Sequence, residues 1–156
     1  MIFDADGHYA PKFAYDRMEG PYRHLRPRII TDSHGSTLYY KERFHPSVAH
    51  SFNEQQTCDI QRRLADLDKL DIEMQVLFPN HSGLYYDVED PKAAAALCQN
   101  HNDGVAEAEK LGRFLAPAMV PLQHADEAIA EMQRVVKQHG LRCLVVIDLK
   151  VGKFTH

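Results

Sequence analysis

The chain has 156 residues, 44% of them hydrophobic, which is enough for one compact domain with a core and too few for two comfortable ones. Eighteen basic against twenty-two acidic residues leave a formal net charge of -4, with no basic block to track phosphates, so no nucleic-acid partner is expected. No apolar run approaches the roughly 20 residues of a membrane helix, and no basic leader precedes the first apolar run; a cytoplasmic protein with no membrane partner is expected.

The chain opens with a short apolar run, Ile2-Phe3-Asp4-Ala5-Asp6-Gly7-His8-Tyr9, that ends in acids and an imidazole before Pro11. Strand alternation puts Asp4, Asp6 and His8 on one face. Carboxylate and neutral imidazole converging at a strand end suit a hard-to-borderline divalent ion. A turn capped by the acids with a solvated His8 is the plain alternative.

A long irregular segment follows, from about residue 9 to 56, too long for an ordinary connection. Within it, Arg28-Ile29-Ile30-Thr31 and Ser36-Thr37-Leu38-Tyr39-Tyr40 flank Asp32-Ser33-His34-Gly35, the pattern of a β-hairpin. Its aromatics, among them Tyr9, Phe13, Tyr15, Tyr22 and Phe44, fit a substrate pocket or, by the habit of compact loops, self-packing against the domain.

From Thr57 the period becomes helical. Ile60, Leu64, Leu67 and Leu70 form a stripe, Arg62 and Arg63 fall largely off it, and Thr57 is the expected N-cap. Ile72 to Pro79 then reads as a second strand. Asp90-Pro91 opens a helix with the favoured N-cap and N1 residues, and Ala94, Leu97, His101, Val105 and Ala108 form its inner stripe up to Gly112. His101, on or next to that stripe, reads as a satisfied, partly buried histidine rather than a ligand. A third strand is expected over about 114–120, and a third helix opens at His124 or Asp126 with Ile129, Met132 and Val136 inward. Leu141 to Leu149 reads as a fourth strand buried on both faces, as in a parallel sheet. Cys58, Cys98 and Cys143 lack CxxC spacing and read as reduced, mostly buried small hydrophobes.

Repeated βα units imply an α/β fold with a parallel sheet, open or bent toward a barrel. A complete (β/α)₈ barrel typically takes about 250 residues, so four strands make at most a partial one.

Several runs together resemble the amidohydrolase-related branch of the metal-dependent amidohydrolase superfamily, which contains aminocarboxymuconate-semialdehyde decarboxylase. They are Ile2 to His8, Arg63-Leu64-Ala65-Asp66-Leu67-Asp68-Lys69-Leu70-Asp71-Ile72 leading into Val76-Leu77-Phe78-Pro79, Gly83-Leu84-Tyr85, Ala95 to Asp103, Val120-Pro121-Leu122-Gln123, and Ala128 to Met132. The resemblance implies residues 1–156 as the N-terminal half of a partial (β/α)₈ TIM barrel, with about four parallel strands, helices, and a hairpin-containing insertion at about 9–56. It implies metal-dependent hydrolysis or decarboxylation, cleaving a C–N or C–C bond of a small carboxylated substrate. The family's first-strand His-x-His metal pair falls on Asp6 and His8, with an acid in the first position. Zn²⁺ or Mn²⁺ is the expected ion, weakly held by two ligands. The family's remaining metal and catalytic residues lie on later strands, so the isolated chain is expected to be incomplete or inactive, and to be a homo-oligomer or to lack a C-terminal half. One alternative is a non-catalytic half-barrel completed by a partner. Another is a phosphatase resembling the haloacid dehalogenases, with Asp4 as nucleophile and Asp6 as acid/base, although that family has Thr where this chain has His8.

Overall fold

The computed structural model describes residues 2–33, 35–39, 54–79 and 85–146. Strand β1 (Phe3–Tyr9) leads into a short helix α1 (Lys12–Asp16), a 3₁₀ turn at Arg23–Leu25 and an antiparallel hairpin of β2 (Arg28–Asp32) and β3 (Gly35–Tyr39). The hairpin lies where the sequence places it, with Asp32 opposite Gly35. The described residues of the segment around it are less irregular than its composition implies. Helix α1 packs on a later helix, and α2 (Glu54–Cys58) precedes the main run of secondary structure. Tyr40 and Phe44 lie outside the described residues, whereas Tyr9 and Tyr15 are buried and Tyr22 packs against the core, so these three self-pack as expected.

Helix α3 (Ile60–Lys69) starts two residues later than Thr57 predicts. Its N-cap is Asp59, whose carboxylate accepts from the amides of Gln61 and Arg62 at 3.0 Å each, because an Asp in extended backbone satisfies two orphan N–H groups at once. Leu70 is the C-cap and exposed, so the buried stripe stops at Leu67. The turn into β4 (Met74–Pro79) places Asp71 at φ +54°, a left-handed position that Asp tolerates better than most residues.

Helix α4 (Pro91–Glu109) matches its prediction closely. Asp90 caps it, Pro91 occupies the first turn, and all five residues of the expected stripe are buried. Strand β5 is only Phe114–Leu115, shorter than expected, because Pro117 has no N–H to continue a ladder. Helix α5 (Ala125–Arg134) follows and continues as a π-helical turn over Val135–His139, closed by Gly140 at φ +73°. Its inward face is Ala128, Glu131 and Val135, not the predicted Ile129, Met132 and Val136, of which Ile129 and Val136 are exposed. The reason is polar: the Glu131 carboxylate is enclosed against α4, and that fixes the rotation of the helix.

The sheet runs β1-β4-β5 with every pair parallel, so strands separated by helical segments lie side by side in chain order. This is a small parallel α/β sheet of the kind that βα units build. The expected fourth strand is reduced to a single parallel bridge between Ala118 and Leu144, made by Ala118 N to Cys143 O and Val145 N to Ala118 O. It is not buried on both faces. Leu144 and Val146 are exposed, as is Cys143, because no strand among the described residues pairs with the outer edge. Residues 147–149 lie outside the described residues.

Candidate metal centre

The register of β1 on β4 decides which side chains can meet. Phe3 pairs with Met74, Asp4 with Gln75, Gly7 with Leu77, His8 with Phe78 and Tyr9 with Pro79, with a bulge between Asp4 and Gly7. Strand β4 alternates without interruption, so Phe3 and His8 lie on one face and Asp4, Gly7 and Tyr9 on the other. The bulge therefore corrects the simple alternation: Asp4 does not share a face with His8. Its carboxylate accepts from the Gln75 side-chain amide on the face where Gly7 is buried.

Asp6 and His8 do come together. His8 Nε2 lies 3.8 Å from Asp6 Oδ1, in the C-terminal half of the strand, with side chains 56% and 85% exposed respectively. His8 Nδ1 is 3.2 Å from the carbonyl oxygen of Pro79 on the neighbouring strand. A carbonyl can only accept, so in that contact Nδ1 donates, and Nε2 is the ring nitrogen left near Asp6. Metal-bound histidines are commonly fixed by such a second hydrogen bond. One imidazole nitrogen and one carboxylate at this separation fit two ligands of a divalent ion. Among the described residues no group of three His, Cys, Asp or Glu side chains converges to complete the shell. Separation of Asp4 from Asp6 by the bulge also removes the shared face that a nucleophile and acid/base pair of the phosphatase type needs.

Two further residues, Arg63 and Gln75, lie beneath the strand. Arg63 on α3 donates from NH2 to the carbonyls of His8 at 2.6 Å and Gln56 at 2.7 Å, and from NH1 to Gln75 Oε1 at 2.9 Å. It belongs to the sheet-facing side of α3 rather than off it. Burial draws its pKa below the ordinary arginine value, yet a guanidinium remains a cation. Gln75 is buried and lies so close over Gly7 that a Cβ there would meet it at 2.5 Å. The only sequence signal for either was a glutamine inside an otherwise apolar strand, where a buried polar group calls for a partner.

His101 is enclosed, with Nδ1 2.9 Å from the Tyr15 hydroxyl, so it is a core residue more deeply buried than the sequence suggests. Burial holds the Tyr15 hydroxyl and the Cys98 thiol well above their usual pKa values. No helix among the described residues is long and apolar enough to cross a membrane.

Neither a family model nor a curated protein matches the sequence. Solved structures do. The chain is similar to 2,6-dihydroxybenzoate decarboxylase from Rhizobium, at 25% identity and TM-score 0.59, over 93% of this chain and 38% of that one. It is similar to 5-carboxyvanillate decarboxylase from Sphingomonas paucimobilis, at 18% identity and TM-score 0.61, over 96% and 43%. A third is dihydroxybenzoic acid decarboxylase from Polaromonas sp. JS666 with bound manganese and the inhibitor 2-nitroresorcinol, at 20% identity and TM-score 0.59, over 93% and 37%. The fold is that of the amidohydrolase-superfamily decarboxylases and hydrolases. The chain spans only 38% of the length of the Rhizobium enzyme.

Proposed function

We propose that this chain forms part of a divalent-metal-dependent hydrolase or decarboxylase of the amidohydrolase type. Asp6 and His8 are two of its metal ligands, and its substrate is a small carboxylated molecule cleaved at a C–N or C–C bond. The observation that carries the reading is the His8 ring, fixed by Pro79 O on one nitrogen and facing the Asp6 carboxylate with the other. Similarity to decarboxylases of hydroxylated benzoates, one of them with manganese bound, supports the substrate class and a divalent ion such as Mn²⁺.

When bound, such an ion supplies Lewis-acid polarisation of a carboxylate or carbonyl oxygen. The chain's own contribution is positional. Pro79 O keeps the His8 proton on Nδ1, so Nε2 stays available as a ligand, and Asp6 adds a negative charge that favours a cation. Phe78, opposite His8, and Val76 supply a half-buried apolar wall on the same face, which suits an aromatic or aliphatic substrate body.

Two protein ligands are fewer than the three usual in catalytic zinc sites, so the chain should bind the ion weakly. Titration of the full chain with Zn²⁺ or Mn²⁺ is expected to show saturable binding that is lost in Asp6→Ala and in His8→Ala. Tight binding that survives both substitutions would place the metal elsewhere and overturn the reading.

A further inference from the structure

The two residues of the metal pair are held from beneath by one connected set of hydrogen bonds. At one end Arg63 NH2 donates to the main-chain carbonyl of His8 at 2.6 Å. Its other terminal nitrogen donates to Gln75 Oε1, and the Gln75 amide in turn donates to the Asp4 carboxylate. Asp4 Oδ1 then accepts from the main-chain N–H of Asp6 at 3.1 Å, within the bulge itself. Gly7, between the two ligands, has no side chain and so leaves Gln75 room to pass under the strand.

We infer that Arg63 is a positioning residue for the metal pair: through His8 O directly, and through Gln75 and Asp4 to Asp6 N, it holds the main chain of both ligands and the bulge from which Asp6 projects. This rests on the metal reading above. A bulge adds a residue with no ladder partner, so its conformation must be set by side chains. A site with two ligands gains most from having both already in place before the ion arrives. Arginine suits the task because its rigid fork meets three acceptors at fixed spacing, which the single flexible ammonium of lysine does not.

A purely structural arginine would behave differently, and the same sheet contains one. Arg113 donates to Glu73 O, Ile72 O and the Asp68 carboxylate, each at 2.7 Å, at the opposite end of β4. It clamps two carbonyls and an acceptor side chain as Arg63 does, but away from the metal pair.

The test compares the native chain with Arg63→Met, Arg63→Lys and Arg113→Met. Zn²⁺ affinity is read by competition with a chromophoric chelator, and the His8 ring tautomer of the metal-free chain by ¹⁵N NMR. Arg63→Met should weaken Zn²⁺ binding by roughly ten- to a hundredfold, the usual effect of losing an outer-shell partner. Arg63→Lys, which keeps the cation and serves if the Met variant does not fold, should fall between Met and native. Arg113→Met should lose thermal stability with its Zn²⁺ affinity and His8 tautomer unchanged. Equal losses of affinity in the Arg63 and Arg113 variants, or native affinity in folded Arg63→Lys and Arg63→Met, would overturn the inference and leave the metal reading intact. Absence of Zn²⁺ binding by the native chain would overturn the metal reading. In that case the brace is upheld if Arg63→Lys alone scrambles the His8 tautomer, and overturned if it does not.

Discussion

His101 shows how a single buried side chain ties the fold to pH. Burial pushes its pKa down to about 4, against an ordinary value of 6.5, so it stays neutral in the folded chain. Between those values the unfolded chain takes up a proton that the folded one does not. Its contribution is therefore full above about pH 6.5 and is lost as pH falls toward 4, at about 1.4 kcal/mol per unit. In urea titrations from pH 7 to 4.5, His101→Gln should lose less stability than the native chain; parallel curves would contradict this. The residue's core position was legible from helical spacing alone. The positions of Asp4, Arg63 and Gln75 were not, because the bulge exists only in the pairing of β1 with β4 and alternation along one strand cannot contain it.

At the scale of elements, legibility followed local chemistry. Asp90-Pro91 and the apolar stripe of α4 carry their own signals, and the helix forms where they place it. Helix α5 turned its other face inward because its partner is electrostatic. Glu131, with a fully buried side chain, accepts from Arg134 Nε at 2.7 Å and NH2 at 2.8 Å, and from Asn102 Nδ2 at 2.7 Å. Asn102 also exchanges two 2.8 Å bonds with the main chain of Met119, joining α4, α5 and the segment after β5. Hydropathy alone gives Glu131 to solvent, so the stripe was misread by one position. Arg134→Met should cost on the order of 3 to 5 kcal/mol by stranding the buried carboxylate, and Arg134→Met/Glu131→Leu should recover a good part of it. Denaturant midpoints measure both; a double variant no better than the single would show that the pair does not act as a unit.

For the whole molecule, the parallel order was legible from alternating periods, while the weak fourth strand was not, since an apolar run gives no information on whether a neighbour exists. The sheet face that carries His8 also exposes Phe3 and Leu115, and Leu144 and Val146 are exposed near its edge. Covering a large apolar side chain is worth about 1.5 to 3 kcal/mol, so self-association through this face is expected. Sedimentation velocity over a concentration series should show a rising mean mass; a soluble monomer throughout would contradict it.

In the proposed site Asp6 and His8 bind one divalent ion together on their shared face of β1. Crystals grown with Mn²⁺ and measured near its absorption edge test this most directly. The prediction is an anomalous peak within about 2.0 to 2.3 Å of both an Asp6 carboxylate oxygen and His8 Nε2, with His8 Nδ1 still against Pro79 O. A peak bound by other side chains, with Asp6 and His8 turned away from one another, would contradict it.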